Sequence, residues 1–292
     1  MNNAAGSRIS SGQESVRRYF REVIENHKLP SLPAVAGKVL ELIRDPDISA
    51  QRLCRVLSDD TALAAKVLAA SRSPYFAQRT LPKNLISAVQ VLGFQNVTNL
   101  VVTNAAHSLC LKDNAASEKL WNHSLGVALA MRILCHRAGI KNRDQAFLAG
   151  LLHDVGEMIL VHGDSKGFAK LGEEVQQAEC QMIDKEQEVY GFDHTLIGLT
   201  LLDSWNIDGQ IGQAVLNHHS DVAGDNANSL AAMIAVADYL CAKVELGLFA
   251  TPPVPPPASL AMCRCYNDEA MVEVLQAIRD AYDEESALFR PA

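Results

Sequence analysis

A histidine and an aspartate stand side by side where an apolar helix should continue, in Leu151-Leu152-His153-Asp154-Val155-Gly156. Polar groups on a buried helix face are costly unless partners meet them there. That cost constrains the whole chain, because the candidate partners lie on other predicted helices: His123, His194, the pair His218-His219, and Asp238. Each sits on or beside an apolar stripe at helical spacing. His123 shares its stripe with Val127, Ala130 and Leu134, and His194 begins one that continues through Ile197, Leu201, Leu202 and Trp205. The histidine pair extends Ile211 and Val215, and Asp238 follows Leu230 and Ile234. The chain must fold so that these segments meet.

The stripes predict an all-α fold, with little of the alternation that strands need. Residues 1–13 read as a disordered N-terminus and 14–110 as a lobe of short helices. Within that lobe the expected elements are Glu14–His27, Ala34–Ile43, a helix capped by Ser49, another opened by Asp60 and Thr61, and a pair punctuated by Gly93. A second lobe, 111–248, has longer helices: Glu118–Ala138, Asp144–Leu160, Ser165–Val189, two more capped by Asp193 and Asp208, and Asn228–Gly247. Residues 249–292 hold a stiff spacer, TPPVPPP, and a final helix Asp268–Leu288. Met271, Val274, Leu275 and Ile278 give that helix an apolar face, suited to its own chain or to a homodimer.

A net charge of -8 argues against nucleic acid as a main partner, since that affinity rests on clustered Lys and Arg. No signal peptide is visible at the N-terminus. No apolar run is expected to reach the length of a membrane span, so a cytoplasmic protein is expected. The seven cysteines, Cys54, Cys110, Cys135, Cys180, Cys241, Cys263 and Cys265, lack zinc-site spacing and read as free thiols. Tyr75 and Phe76 offer either a binding loop or two core aromatics, of which the core is favoured.

Taken singly, an inward histidine is more often a satisfied core residue than a ligand, and a lone aspartate often caps a neighbouring helix. Neighbours on one helix do not share a face, so the two adjacent pairs can also diverge. The set changes the balance: five histidines and two aspartates, inward from five helices. A buried carboxylate must raise its pKa or acquire a cation. Imidazole with carboxylate suits a divalent metal, namely iron, manganese or zinc, with nickel also compatible. Adjacent ligand pairs suit a binuclear site, each member reaching a different ion.

The order H…HD…H…HH…D resembles the HD superfamily of metal-dependent phosphohydrolases. More closely, the chain is similar to an HDOD domain, the HD-related output domain of bacterial signalling proteins. The resemblance spans roughly 26–245 and rests on LPSLPAV, DPDIS, SDDTALAAKVLAASRSPYF and SAVQVLGFQNVTNLV in the first lobe. In the second it rests on LWNHSLGVALA, LAGLLHDVGEMIL, HTLIGLTLLDSWNI and AVLNHHS. It implies an all-helical domain in which an HD-like lobe follows an N-terminal helical lobe. Against the cyclic di-GMP phosphodiesterase branch, HD-GYP, it implies metal-ligand positions at His123, His153, Asp154, His194, His218, His219 and Asp238.

There are departures. That branch has a phosphate-holding Lys three residues after the HD aspartate, where this chain has Glu157, a group of the layer behind the ligands or of the substrate side. Ser220-Asp221-Val222 replaces its Gly-Tyr-Pro loop, and Asp60-Thr61 and Arg72-Ser73 replace the usual Asp-Pro and Asn-Ser of HDOD domains. The expected function is a signalling output module that binds a protein partner or a small effector such as a nucleotide. It would carry a metal but no strong catalysis. The alternative is a metal-dependent phosphohydrolase of nucleotides or cyclic nucleotides. A third reading is a metal-free core whose polar residues only hydrogen-bond one another.

Overall fold

The computed structural model describes residues 15, 16, 18, 19, 22, 32–73, 81–110, 114–140, 143–220, 230–248 and 254–289. Among these, every regular element is helical. The chain divides into two compact units, one of Pro30–Ser108 with Asp283–Ala292 and one of Met1–Leu29 with Leu109–Tyr282. Tyr75 and Phe76 lie outside the described residues, as does most of the expected first helix, of which 15, 16, 18, 19 and 22 are helical.

The smaller unit holds α1 (Ala34–Leu42), α2 (Ala50–Leu57), α3 (Thr61–Ser71) and α4 (Leu85–His107). Side-chain oxygens set the starts of α2, α3 and α4 by accepting first-turn N–H groups that have no intrahelical partner. Ser49 Oγ accepts from Arg52 N at 3.3 Å and Asp60 Oδ1 from Leu63 N at 3.0 Å. Asn84 and Ser87 cap α4 reciprocally. Gly93, at φ 75°, interrupts α4 where the sequence predicts two helices. Leu53, Leu57, Val67, Val89, Val97 and Val101 form an apolar core, with Phe289 packed against it.

The larger unit runs α5 (Ala115–Ala138), α6 (Arg143–Leu152), α7 (Val155–Gly163), α8 (Ser165–Ala178), α9 (Met182–Tyr190), α10 (His194–Ser204), α11 (Gly209–Asn217), α12 (Leu230–Lys243), α13 (Pro257–Met262) and α14 (Asp268–Phe289), the last turns of α14 belonging to the other unit. Three elements differ from expectation. The predicted helix 144–160 breaks at His153-Asp154, between α6 and α7. The predicted helix 165–189 is two helices, parted at Glu179, whose backbone is left-handed at φ 51°. The short helix α13 follows the proline run, with Pro257 in its first turn, a position where proline costs no hydrogen bond. On α14, Val274 and Ile278 are fully buried within the chain.

Two glycines let the larger unit close. A Cβ on Gly156 would fall 2.0 Å from the His194 carbonyl oxygen, so α7 and α10 touch backbone to backbone. A Cβ on Gly150 would lie 2.9 Å from the Val127 carbonyl oxygen, so α6 crosses α5 as closely. These crossings carry residues 153 and 154 toward 123 and 194.

Among the described residues, two stretches are long and apolar enough by composition to cross a membrane, contrary to expectation: Leu85–His107, 50% buried, and Gln145–Gly163, 89% buried. Gly93 interrupts the first and the His153-Asp154 break the second. All seven cysteines are free thiols.

Candidate metal centre

The break between α6 and α7 lets neighbouring side chains share a centre. Asp154 occupies the N-cap position of α7 with non-helical φ −104° and ψ 20°, yet its side chain makes no cap hydrogen bond. The carboxylate points inward instead, 3.0 Å from His153 Nε2 through Oδ2. A continuous helix would have turned the two side chains to different faces.

All seven residues singled out in the sequence meet in the larger unit, around the two oxygens of Asp154. Oδ2 lies 3.4 Å from His123 Nε2, which is 3.2 Å from His153 Nε2 and 3.4 Å from Asp238 Oδ1. Oδ1 lies 3.4 Å from His194 Nε2 and 3.3 Å from His218 Nε2. Ligand atoms of His123, His153 and Asp238 fall within 4.8 Å of one another, as do those of Asp154, His194, His218 and His219. Two clusters of donors thus adjoin a single carboxylate. His153 is fully buried, and 14% of the Asp238 side chain is exposed.

The outer edges of the rings fix how each presents itself. His123 Nδ1 lies 2.7 Å from the Leu246 carbonyl oxygen, His153 Nδ1 2.8 Å from that of Gly150, and His218 Nδ1 2.7 Å from that of Val215. His194 Nδ1 lies 2.7 Å from Glu186 Oε2. Each Nδ1 therefore carries a hydrogen and donates it, which in the neutral ring leaves a bare lone pair on Nε2. Two such lone pairs, on His123 and His153, face each other at 3.2 Å. Asp154 Oδ1, His194 Nε2 and His218 Nε2 are buried with no hydrogen-bond partner. Nitrogens and carboxylate oxygens with lone pairs aimed at common points are a donor set for cations, and these residues fit a divalent metal.

The electrostatics divide the rings into two kinds. Burial opposes ionisation of Asp154, but His153, His123 and His218 hold its carboxyl well below the usual range. Burial works against charging His123 and His194, yet the carboxylates beside them carry both above the ordinary imidazole value. Burial holds His218 below that value and His219 well below it, with neighbouring rings adding to the effect. In both, burial favours the neutral ring, the form in which imidazole binds metal.

Glu157 is buried at 3% exposure, with Oε1 3.8 Å from His194 Nδ1. It lies in the buried layer behind the candidate ligands. Burial, with Asp154 adding, pushes its carboxyl well above the usual range. Sequence reasoning missed Glu186, which is fully buried and bonded to His194. Its signal was Met182, one turn earlier on the same buried face of α9.

The HDOD domain profile matches residues 29–221, most of the chain. This chain belongs to the HDOD family. The match covers His123 through His219 and ends before Asp238. An HDOD domain protein of unknown function from Geobacter sulfurreducens superposes with a TM-score of 0.75 at 26% identity, covering 94% of this chain and 98% of that one. A proposed signal transduction protein from Marinobacter aquaeolei VT8 superposes at 0.73 with 20% identity, over 95% of this chain and 66% of the other. An uncharacterized Treponema pallidum protein is 25% identical over 199 residues, which are 66% of this HDOD chain and 38% of that protein. This chain therefore matches well under half the length of that relative.

Proposed function

We propose that this HDOD protein is a signalling module whose HD-like lobe holds a pair of divalent metal ions sharing Asp154. In this reading it acts by binding a protein partner or a small effector such as a nucleotide, without strong catalysis. One observation carries the metal part: four imidazoles, each anchored at Nδ1, direct bare Nε2 atoms toward the two oxygens of one buried carboxylate. His123, His153, Asp154 and Asp238 would hold one ion. Asp154, His194, His218 and His219 would hold the other.

Glu157 supports the weak-catalysis part. A phosphate ester brings negative charge, and a buried carboxyl where a Lys would stand offers no cation to receive it. The superposable Marinobacter protein, itself a proposed signal transduction protein, favours a signalling role by analogy of fold alone.

A phosphohydrolase is the second reading, favoured by two complete donor sets around a bridging carboxylate. Bound there, divalent ions would supply Lewis acidity and a water of lowered pKa. Phosphoester turnover by metal-loaded protein separates the readings. The signalling reading expects none above background. Turnover that disappears in Asp154→Ala would establish the hydrolase.

A further inference from the structure

We propose that Glu186 is the positioning residue of the subsite built on His194, and that one of the two ion positions depends on it while the other does not. The inference rests on the metal-binding reading above. Glu186 is fully buried on α9, a helix whose only other buried residue is Met182. A single oxygen, Oε2, accepts two bonds from residue 194: from the backbone N at 2.9 Å and from ring Nδ1 at 2.7 Å. One acceptor gripping both the backbone and the ring fixes the rotation of the side chain. It also fixes the tautomer, because a bare Nδ1 would set lone pair against lone pair. Nε2 is left to face Asp154 Oδ1 at 3.4 Å.

The same contact completes the start of α10. The N–H of His194 is one of the first-turn donors that the helix itself cannot satisfy. Asp193 accepts those of Thr195 and Leu196, and Glu186 accepts the one left over. The local fold of α10 and the aim of its ligand thus share one carboxylate.

Glu186 differs from the anchors of the other three rings. Those are backbone carbonyls, of Leu246, Gly150 and Val215. A carboxylate acceptor makes a charge-assisted bond and raises the basicity of the ring as a ligand. Glu186 is also the one anchor of the four that is a side chain, and so the one that substitution removes. Glu157 does not substitute for it: its Oε1 is 3.8 Å from the same Nδ1, beyond hydrogen-bond reach.

The test uses the full chain with Mn2+ as the sole added metal. Bound ions are counted by elemental analysis, and coupling between them is read by electron paramagnetic resonance. Native protein should bind two ions as an exchange-coupled pair. In Glu186→Ala one ion should weaken about 10–100-fold, the usual cost of removing a ligand's outer partner, and the coupled signal should give way to that of an isolated ion. In Glu186→Gln the amide oxygen can still accept both bonds. The pair should return, with one ion about 10-fold weaker. A general loosening of the lobe would weaken both ions together, and that result overturns the proposal. So does native affinity for both ions in Glu186→Ala. Should Glu186→Ala fail to fold, Glu186→Gln decides alone: both ions unchanged, or both equally weakened, overturns the proposal. Native protein that binds neither Mn2+ nor, offered in its place, Fe2+ or Zn2+ removes this inference and the metal reading together, whereas two native ions indifferent to residue 186 remove this inference only.

Discussion

The two units use their interiors differently. The smaller is held by side chains such as Leu53, Leu57 and Val67, and its serine, aspartate and asparagine caps lie at helix starts. The larger places His123, His153, Asp154, Glu157, Glu186, His194 and His218 in its interior. Burial of a large apolar side chain stabilises by about 1.5–3 kcal/mol. A buried polar group left unpaired costs about as much. The comparison teaches that the first interior is mostly apolar, with Asn99 Oδ1 and Thr103 Oγ1 scattered in it without a hydrogen-bond partner, whereas the second gathers its polar groups around one carboxylate, where our proposal places a cation.

Substitution can break that comparison. The largest expected effect is on metal content: Asp154→Ala should abolish both ions, because both donor clusters adjoin that carboxylate. Retention of one ion, measured by elemental analysis, would mean the clusters are independent. Next is Gly156→Ala, whose added Cβ meets the His194 carbonyl oxygen. It should destabilise the larger unit by about 3 kcal/mol or more, at the upper end of overpacking costs, and impair metal loading with it. Leu57→Ala, fully buried in the apolar cluster of the smaller unit, should cost about 3 kcal/mol and leave the metal stoichiometry unchanged. Denaturant titration beside metal analysis checks both. The smallest effect is Asn84→Ala, which removes a reciprocal cap. It should cost about 1 kcal/mol, read from the denaturation midpoint, again without effect on metal.

Much of this difference was legible in the sequence. Ser49, Asp60, Asp193 and Asp208 each stand before a helix and accept from its first turn. The ligand candidates stood out because a histidine on an apolar stripe violates the pattern around it. The break at His153-Asp154 was not legible. Flanking residues continue the apolar run, and only the tertiary demand on Asp154 explains an N-cap aspartate that caps nothing. Glu186 was hidden for the opposite reason. Asp184, Lys185, Gln187 and Glu188 surround it in sequence, and hydropathy does not distinguish one buried carboxylate from solvated neighbours. Nor did spacing reveal Gly150 and Gly156 as helix crossings, since that role depends on which backbone lies opposite.

Metal content of the freshly purified protein tests the central claim most directly, by elemental analysis with spectroscopy for iron. The account predicts two divalent ions per chain, bound in the larger unit. Protein that carries none, and takes up none when offered Fe2+, Mn2+ or Zn2+, would contradict it and leave a polar core held by hydrogen bonds alone.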